Sequence, residues 1–386
     1  MFKILTLNKI SDSGLEPIKN ANFSISSEEQ NPDGIILRSF AMHDYPLPPT
    51  LKAVARAGAG INNIPIQKCS EEGIVVFNTP GANATAVREM VIAGLLLSNR
   101  KIYQGINWAQ SLTGDVAKLV EKGKGDFVGP ELYGKKIGII GLGAIGVLVA
   151  NACVALGMEV IGVDPFMSVE AAWAISRSVR RTKDINEIYG QCDYISLHIP
   201  YNEKTKHTIN ESVLEKVKKG VKLINFARGE IVDNAALKKA LDDGTVSTYV
   251  TDFPTEELLG NPKIITIPHL AASTPEAEEN CALMASEELK NYLETGVIKN
   301  SVNFPNCDIP LADGKRICIV HRNTSNIIGP ITTALAERKL NITDMLSASK
   351  GDYAYALIDV DSKEINETEI TEKCLAIEGV LKVRIL

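Results

Sequence analysis

Gly141-Leu-Gly143-Ala-Ile-Gly146 follows an apolar run at 136–140 and opens an apolar stretch that continues through Val154. Glycines at this spacing, between a strand and a helix, permit a tight turn and close backbone approach to a pyrophosphate, whose charge then meets a helix N-terminus. Asp164 closes the next apolar run. A carboxylate there accepts both ribose hydroxyls of NAD and repels the 2′-phosphate of NADP, so dinucleotide binding is the first chemistry indicated. Helix packing alone would account for the glycines but not for the placed acid.

Three more polar segments each follow an apolar run: Phe226-Ala-Arg228-Gly229, Asp252-Phe-Pro-Thr-Glu256-Glu257 and Pro268-His269-Leu270. If those runs are parallel strands, Arg228, Glu257 and His269 emerge on one rim of a sheet, where doubly wound folds bind ligands. Singly, they read as a surface ion pair, an exposed acid and a loop histidine. Together, behind a dinucleotide fold, they supply an anion-binding guanidinium, an acid–base imidazole and a carboxylate to hold that imidazole. His43, His198 and His207 lack such company and read as structural, and no residue set has metal-ligand spacing.

The elements that must position these groups are legible as alternating runs. Short apolar segments at 2–7, 34–37, 51–55 and 73–77 predict parallel strands with crossovers, and a helical pattern extends over 84–120. Strand candidates at 160–163, 194–199, 222–226, 249–252 and 264–267 alternate with helical stretches at 212–219 and 234–242. Thr274 and Pro275 read as the N-cap and first turn of a helix that stops at Gly296. Pro305, Pro310 and Gly314 mark 300–314 as a linker. Beyond it, 316–321, 327–340, 342–349, 353–360, 367–377 and 380–385 read as βαββαβ, a ferredoxin-like unit. The fold class is therefore α/β: two doubly wound parallel-sheet domains, one of them discontinuous, plus a C-terminal ferredoxin-like domain. The expected division is 1–100 with 270–300 for substrate, 101–269 for the dinucleotide, a linker at 301–314, and a regulatory unit at 315–386.

With 386 residues, the chain has room for two to four domains at roughly 100–200 residues each. A net charge of -6 offers no basic excess for a phosphate backbone, which argues against nucleic-acid binding as the main role. The apolar run 137–163 is long enough to suggest a membrane span, but its glycines fit strand, turn, helix and strand better. Seven cysteines without a CxxC pair, and no secretory leader, predict reduced thiols and a cytoplasmic protein without a membrane partner.

GLGAIG, NFARGEIVD and PHLAAST resemble signature segments of the D-isomer-specific 2-hydroxyacid dehydrogenases, and RAGAGINNI at 56–64 and NTPGANATAVRE at 78–89 resemble that family's substrate-domain motifs. RSF at 38–40 and a C-terminal unit resembling an ACT domain resemble the members that oxidise 3-phospho-D-glycerate to 3-phosphohydroxypyruvate with NAD, entering serine biosynthesis. Where the family usually reads DVFxxEP, this chain reads DFPTEEL, and counting from Asp252 selects Glu257 over Glu256. Ser325-Asn326 replaces the usual Pro-Gly of the C-terminal unit.

The resemblance implies roles for individual residues. His269 takes the C2 hydroxyl proton, Glu257 orients His269, and Arg228 holds the substrate carboxylate. Backbone amides of Ala59 and Gly60 complete the carboxylate site, Asn83 lines the substrate cleft, and Arg38 and Lys124 are the cations for the phosphate. Gly141, Gly143, Ile145, Gly146, Asp164, Thr205, Ala227 and Asp252 hold NAD. His321, Asn323 and Asn341 match residues that bind L-serine between two subunits, and the 84–120 region implies a homo-oligomer. The alternatives are a dehydrogenase of another D-2-hydroxy acid, such as glycerate, glyoxylate or D-lactate, and a non-enzymatic NAD-sensing scaffold.

Overall fold

The computed structural model describes residues 1–20 and 22–386. The chain forms two compact units, 1–83 with 275–386, and 84–274. In the first, β1 (Phe2–Leu7), β2 (Phe23–Ser26), β3 (Gly34–Leu37), β4 (Ala53–Arg56) and β5 (Val75–Phe77) make a parallel sheet in the order β2-β1-β3-β4-β5, with α1 (Ile66–Glu71) before β5. Strands β3 and β5 are buried along their whole length, which is why they read as unbroken apolar runs. Edge strand β2, reading FSIS, escapes that pattern.

In the second unit, the stretch expected as one helix is three: α2 (Ala84–Arg100), α3 (Ile102–Gln110) and α4 (Val116–Gly123). Lys101 breaks it in the left-handed region at φ 46°, and Gly114 turns the chain again at φ 88°. Val87, Val91 and Leu95 of α2 share a core with Ile137, Ile139 and Phe226, so 84–100 folds with the dinucleotide unit rather than with the residues before it. Helices α3 and α4 bury no residue.

The remainder of that unit is β6 (Lys136–Ile140), α5 (Ala144–Ala155), β7 (Glu159–Val163), α6 (Val169–Ala174), β8 (Arg180–Arg181), α7 (Ile185–Gln191), β9 (Tyr194–Leu197), α8 (Glu211–Leu214), β10 (Val221–Asn225), α9 (Asn234–Asp242), β11 (Val246–Thr251) and β12 (Ile264–Thr266). Its seven parallel strands run β12-β11-β10-β9-β6-β7-β8. The order reverses at β6, whose neighbours are β7 and β9, creating the switch point at which such sheets bind ligands. Among the described residues, no helix is long and apolar enough to cross a membrane.

Helix α10 (Pro275–Thr295) returns the chain to the first unit and lays Ala282, Ala285 and Leu289 against Ile4, Ile36 and Ala53 of the sheet. Then β13 (Lys315–Arg322), α11 (Ile328–Ala336), β14 (Ile342–Lys350), β15 (Tyr353–Val360), α12 (Glu367–Leu375) and β16 (Val380–Ile385) form an antiparallel sheet ordered β14-β15-β13-β16, the ferredoxin-like arrangement. One face, with Ile317, Ile319 and Ile358, packs on Ile331, Leu335 and Ile370 of its own helices. The other, with Cys318, Val320, Tyr355 and Leu357, shares a core with Tyr292, Leu293 and Phe304.

The segment expected as a linker is therefore packed over its first half. Ser301 bridges to Phe77, and Ile298 to Cys307. The Asn303 amide donates to the Ile74 carbonyl and to Ser70 Oγ, while Phe304 and Cys307 are wholly buried. Prolines gave that stretch its open look; the apolar residues between them decide its packing.

Glu288 of α10 is 7% exposed, accepts one hydrogen bond from Asn300 Nδ2 at 2.7 Å and leaves Oε2 without a partner. Burial pushes its carboxyl up to about 8. A carboxyl whose folded pKa is raised contributes stability present at low pH and lost as pH rises through that value. Glu288→Gln keeps the acceptor for Asn300 and removes the titration, so its melting temperature should match wild type below about pH 4, gain on it as pH rises from 4.5, and exceed it most above pH 8. Parallel melting curves across that range would refute this.

Candidate active site

The parallel register fixes the rim. Asn225, Thr251 and Thr266 lie level at the ends of β10, β11 and β12. Arg228, Asp252 and His269 follow within the next few residues, so all three stand at the carboxyl edge. The backbone N–H of His269 donates to the carbonyls of Ile267 and Asp252 at 2.9 and 3.1 Å, and His269 takes the left-handed φ of 43°. Its ring stands 4.9 Å from that of Phe253. Asp252 is buried; Oδ2 accepts from the Ala271 N–H at 3.1 Å and Oδ1 has no partner. Burial raises its carboxyl pKa, against the pull of that N–H, of His269 and of Arg228.

Arg228 is exposed and donates from Nη1 to the Ala227 carbonyl at 2.7 Å. Asn225, which sequence reasoning passed over, shapes this loop. Wholly buried, it donates to the Arg228 carbonyl at 2.9 Å and to the Tyr249 hydroxyl at 3.1 Å, and accepts from the Ala227 N–H at 3.1 Å. A polar residue ending an otherwise apolar strand was the available signal. Asp233 of the same motif caps α9, accepting from the N–H groups of Ala235 and Ala236.

Glu256 and Glu257 lie exposed on a 3-10 turn anchored by buried Leu258. Among the described residues no hydrogen bond or ion pair joins Glu257 to His269; the Phe253 ring lies tilted at 59° beside the imidazole. The structure thus brings together Arg228, Asp252 and His269, and leaves the expected carboxylate apart.

At the switch point, Asp164 accepts from the Leu142 N–H at 2.8 Å and from the Phe166 N–H at 2.7 Å, so the acid is docked on the glycine turn. Gly141 has φ 95°, and a Cβ on Gly146 would lie 1.9 Å from the Gly141 carbonyl oxygen. Gly143 faces open space, as a position approached by pyrophosphate requires. Ile145 lies in the first turn of α5. His198, half-buried behind the turn with Nε2 2.8 Å from Ser196 Oγ, has its pKa pushed down to about 4 by desolvation of the ring. Thr205 Oγ1 donates to the Pro200 carbonyl at 2.6 Å and fixes the loop after β9. These residues suit a dinucleotide: an open glycine for phosphate, and an acid beside it for ribose.

In the first unit, Arg38 is ion-paired with Glu278 at 2.7 Å rather than free for an anion. Arg56, unassigned from sequence though it opens RAGAGINNI, donates to Asn63 Oδ1 at 2.9 Å and lies along the Gly58–Gly60 loop, where a Cβ on Gly58 would meet its guanidinium at 2.5 Å. Ala59 accepts from Asn78 Nδ2 at 2.7 Å, and Asn83 Oδ1 is buried without a partner. Lys124, in the second unit, is paired with Glu121 at 2.5 Å. His321 and Asn323 end β13 and its following turn, whereas Asn341 precedes β14 at the Lys315 end, so a single chain holds them at opposite ends of the sheet.

Residues 92–271 match the NAD-binding domain of the D-isomer-specific 2-hydroxyacid dehydrogenases. D-3-phosphoglycerate dehydrogenase of Haemophilus influenzae is 30% identical over 88% of this chain and 82% of its own. The chain belongs to this family. The enzyme of that name from Bacillus subtilis is 34% identical over 79% of this chain, which spans only 59% of that relative; for the Methanocaldococcus jannaschii protein the share is 48%. A crystal structure of NAD+-bound 3-phosphoglycerate dehydrogenase from Entamoeba histolytica superposes with a TM-score of 0.62 and 26% identity over 78% of this chain and 98% of its own. NAD is the cofactor of the matched domain.

Proposed function

We propose that the chain is an NAD-dependent dehydrogenase oxidising 3-phospho-D-glycerate to 3-phosphohydroxypyruvate, a reading supported by relatives named D-3-phosphoglycerate dehydrogenase. The observation that carries this reading is the meeting of Arg228 and His269 on one rim, on the sheet whose switch point holds Asp164 beside the glycine turn. Bound NAD supplies the acceptor for the C2 hydride. Arg228 fixes the substrate carboxylate and polarises the C2 oxygen. The His269 imidazole takes the C2 hydroxyl proton. Buried Asp252 holds the His269 main chain and faces the charge that develops there.

Reduction of phosphohydroxypyruvate by NADH is the test, beside reduction of hydroxypyruvate, glyoxylate and pyruvate, the oxo acids of the glycerate, glyoxylate and D-lactate alternatives, with L-serine added or omitted. Failure with the phosphorylated acid but turnover of another would select the alternative dehydrogenase, and turnover of none would leave the NAD-sensing reading. Since one chain separates Asn341 from His321 and Asn323, inhibition by serine requires a second chain. The exposed apolar residues Tyr103, Ile106, Val116 and Leu119 of α3 and α4 supply a surface for a homo-oligomer, which sedimentation would reveal.

NADH should be preferred over NADPH, because the 2′-phosphate would meet Asp164 as a like charge. Asp164→Ala should narrow the gap in kcat/KM. Equal efficiency of the two cofactors in wild type would overturn this.

A further inference from the structure

A recess of about 430 Å³ in the first unit is lined by no residue assigned above to catalysis, substrate or cofactor. Its walls come from three places: Asn78 and Pro80 after β5; Asn300, Ser301 and Asn306 after α10; and Lys350 at the end of β14. Phe304, wholly buried, forms part of the lining, which makes that side a fixed wall. Among the described residues that line it, Lys350 alone is charged. Its ammonium spends one N–H on the Ser301 carbonyl at 2.8 Å and keeps two. Partial burial lowers its pKa, as for a cation facing no carboxylate.

The amides add donors. Asn78 Nδ2 uses one N–H on the Ala59 carbonyl, and Asn300 Nδ2 uses one on Glu288. Asn306 accepts from the Asn300 N–H through Oδ1, at 3.0 Å, and among the described residues its NH2 has no acceptor. An ammonium and three amides around one recess, with no acid among the lining residues, match the lone pairs of a small oxyanion.

We propose that this recess binds a small oxyanion, a carboxylate or phosphate, held by Lys350 with Asn78, Asn300 and Asn306. The site joins two parts of the unit. Lys350 belongs to the β14–β15 hairpin, and Asn78 holds Ala59, beside the Gly60 amide assigned to the substrate carboxylate. An occupant therefore fixes the Asn78–Ala59 contact from the regulatory sheet and lowers the KM for phosphohydroxypyruvate, an effect that rests on the function proposed above.

Titration calorimetry on the full-length protein with inorganic phosphate, and separately with malonate, tests the site. At least one should bind, and Lys350→Met should weaken it about tenfold, the scale of a lost charge-assisted hydrogen bond. Asn306→Asp, at an exposed position, introduces a like charge and should abolish binding without unfolding the chain. Arg228→Ala should leave this binding in place. Binding lost in Arg228→Ala but kept in Lys350→Met would place the anion at the catalytic rim and overturn the proposal, as would no binding of either anion at millimolar concentration. Calorimetric binding without turnover of phosphohydroxypyruvate would defeat the proposed function and leave the oxyanion site standing.

Discussion

His269→Ala and Arg228→Ala should each remove most of the turnover while NADH binding survives. General acid–base assistance is worth about 10²- to 10⁴-fold, so His269→Ala should lower kcat by that much. The imidazole is exposed, and its backbone is held by main-chain hydrogen bonds that alanine retains. Folding should therefore be little affected, apart from the strain of a non-glycine residue at φ 43°, which wild type already bears. Arg228→Ala removes an exposed guanidinium that bonds to its neighbour's carbonyl, and the loop remains tied by Asn225. Its loss should appear in kcat/KM, through binding of the carboxylate and stabilisation of developing charge. Stopped-flow fluorescence with NADH separates the two steps: a variant that fails to bind NADH would mean that the residue holds the fold or the cofactor instead.

Glu257 is the informative control. It stands apart from the imidazole, and Asp252 is the buried carboxylate close to it. If closure on substrate brings Glu257 to His269, Glu257→Gln should shift the pH–rate profile, because the partner carboxylate raises the histidine's pKa. If Glu257 stays apart from the imidazole, the profile of Glu257→Gln should match wild type. The same experiment on Glu256 checks the register across the DFPTEEL departure.

The chemistry was legible before the architecture that carries it. Glycines 141, 143 and 146, Asp164, Arg228 and His269 each stand directly after an apolar run, and parallel strands put the ends of such runs on one rim whatever the loops do. What the sequence concealed depended on contacts between distant segments. Whether 84–110 was one helix or two turned on the backbone of Lys101, a residue with no intrinsic bar to helix. Arg38 looked like a free phosphate cation because Glu278, its partner, lies far away along the chain. The 300–314 stretch looked like a linker because proline and glycine are local signals, while the burial of Phe304 and Cys307 is not.

Asp359→Ala should be among the most destabilising single substitutions in the first unit. Arg316 and Asp359 are each 1% exposed and joined by two bonds of 2.7 Å, Nε to Oδ1 and Nη2 to Oδ2. Arg316 also donates from Nη1 to the Thr295 carbonyl at 3.0 Å, and from Nη2 to Pro310 at 2.8 Å. Arg384 does the same for Leu293 at 2.8 Å and lies over the Tyr292 ring at 4.5 Å. Two guanidinium groups of the C-terminal sheet thus serve the last carbonyls of α10, where orphan acceptors and the negative end of the helix dipole favour cations. Removing Asp359 strands Arg316 as a buried, uncompensated charge, a loss on the order of 3–5 kcal/mol. Replacing both partners with apolar residues, Arg316→Met with Asp359→Leu, removes that charge and should recover much of the loss, though the Thr295 and Pro310 carbonyls then go unserved. Urea denaturation of the four proteins reads the pattern directly. An Asp359→Ala midpoint near that of wild type, or a double variant worse than Asp359→Ala, would mean that the pair does not hold the sheet to α10.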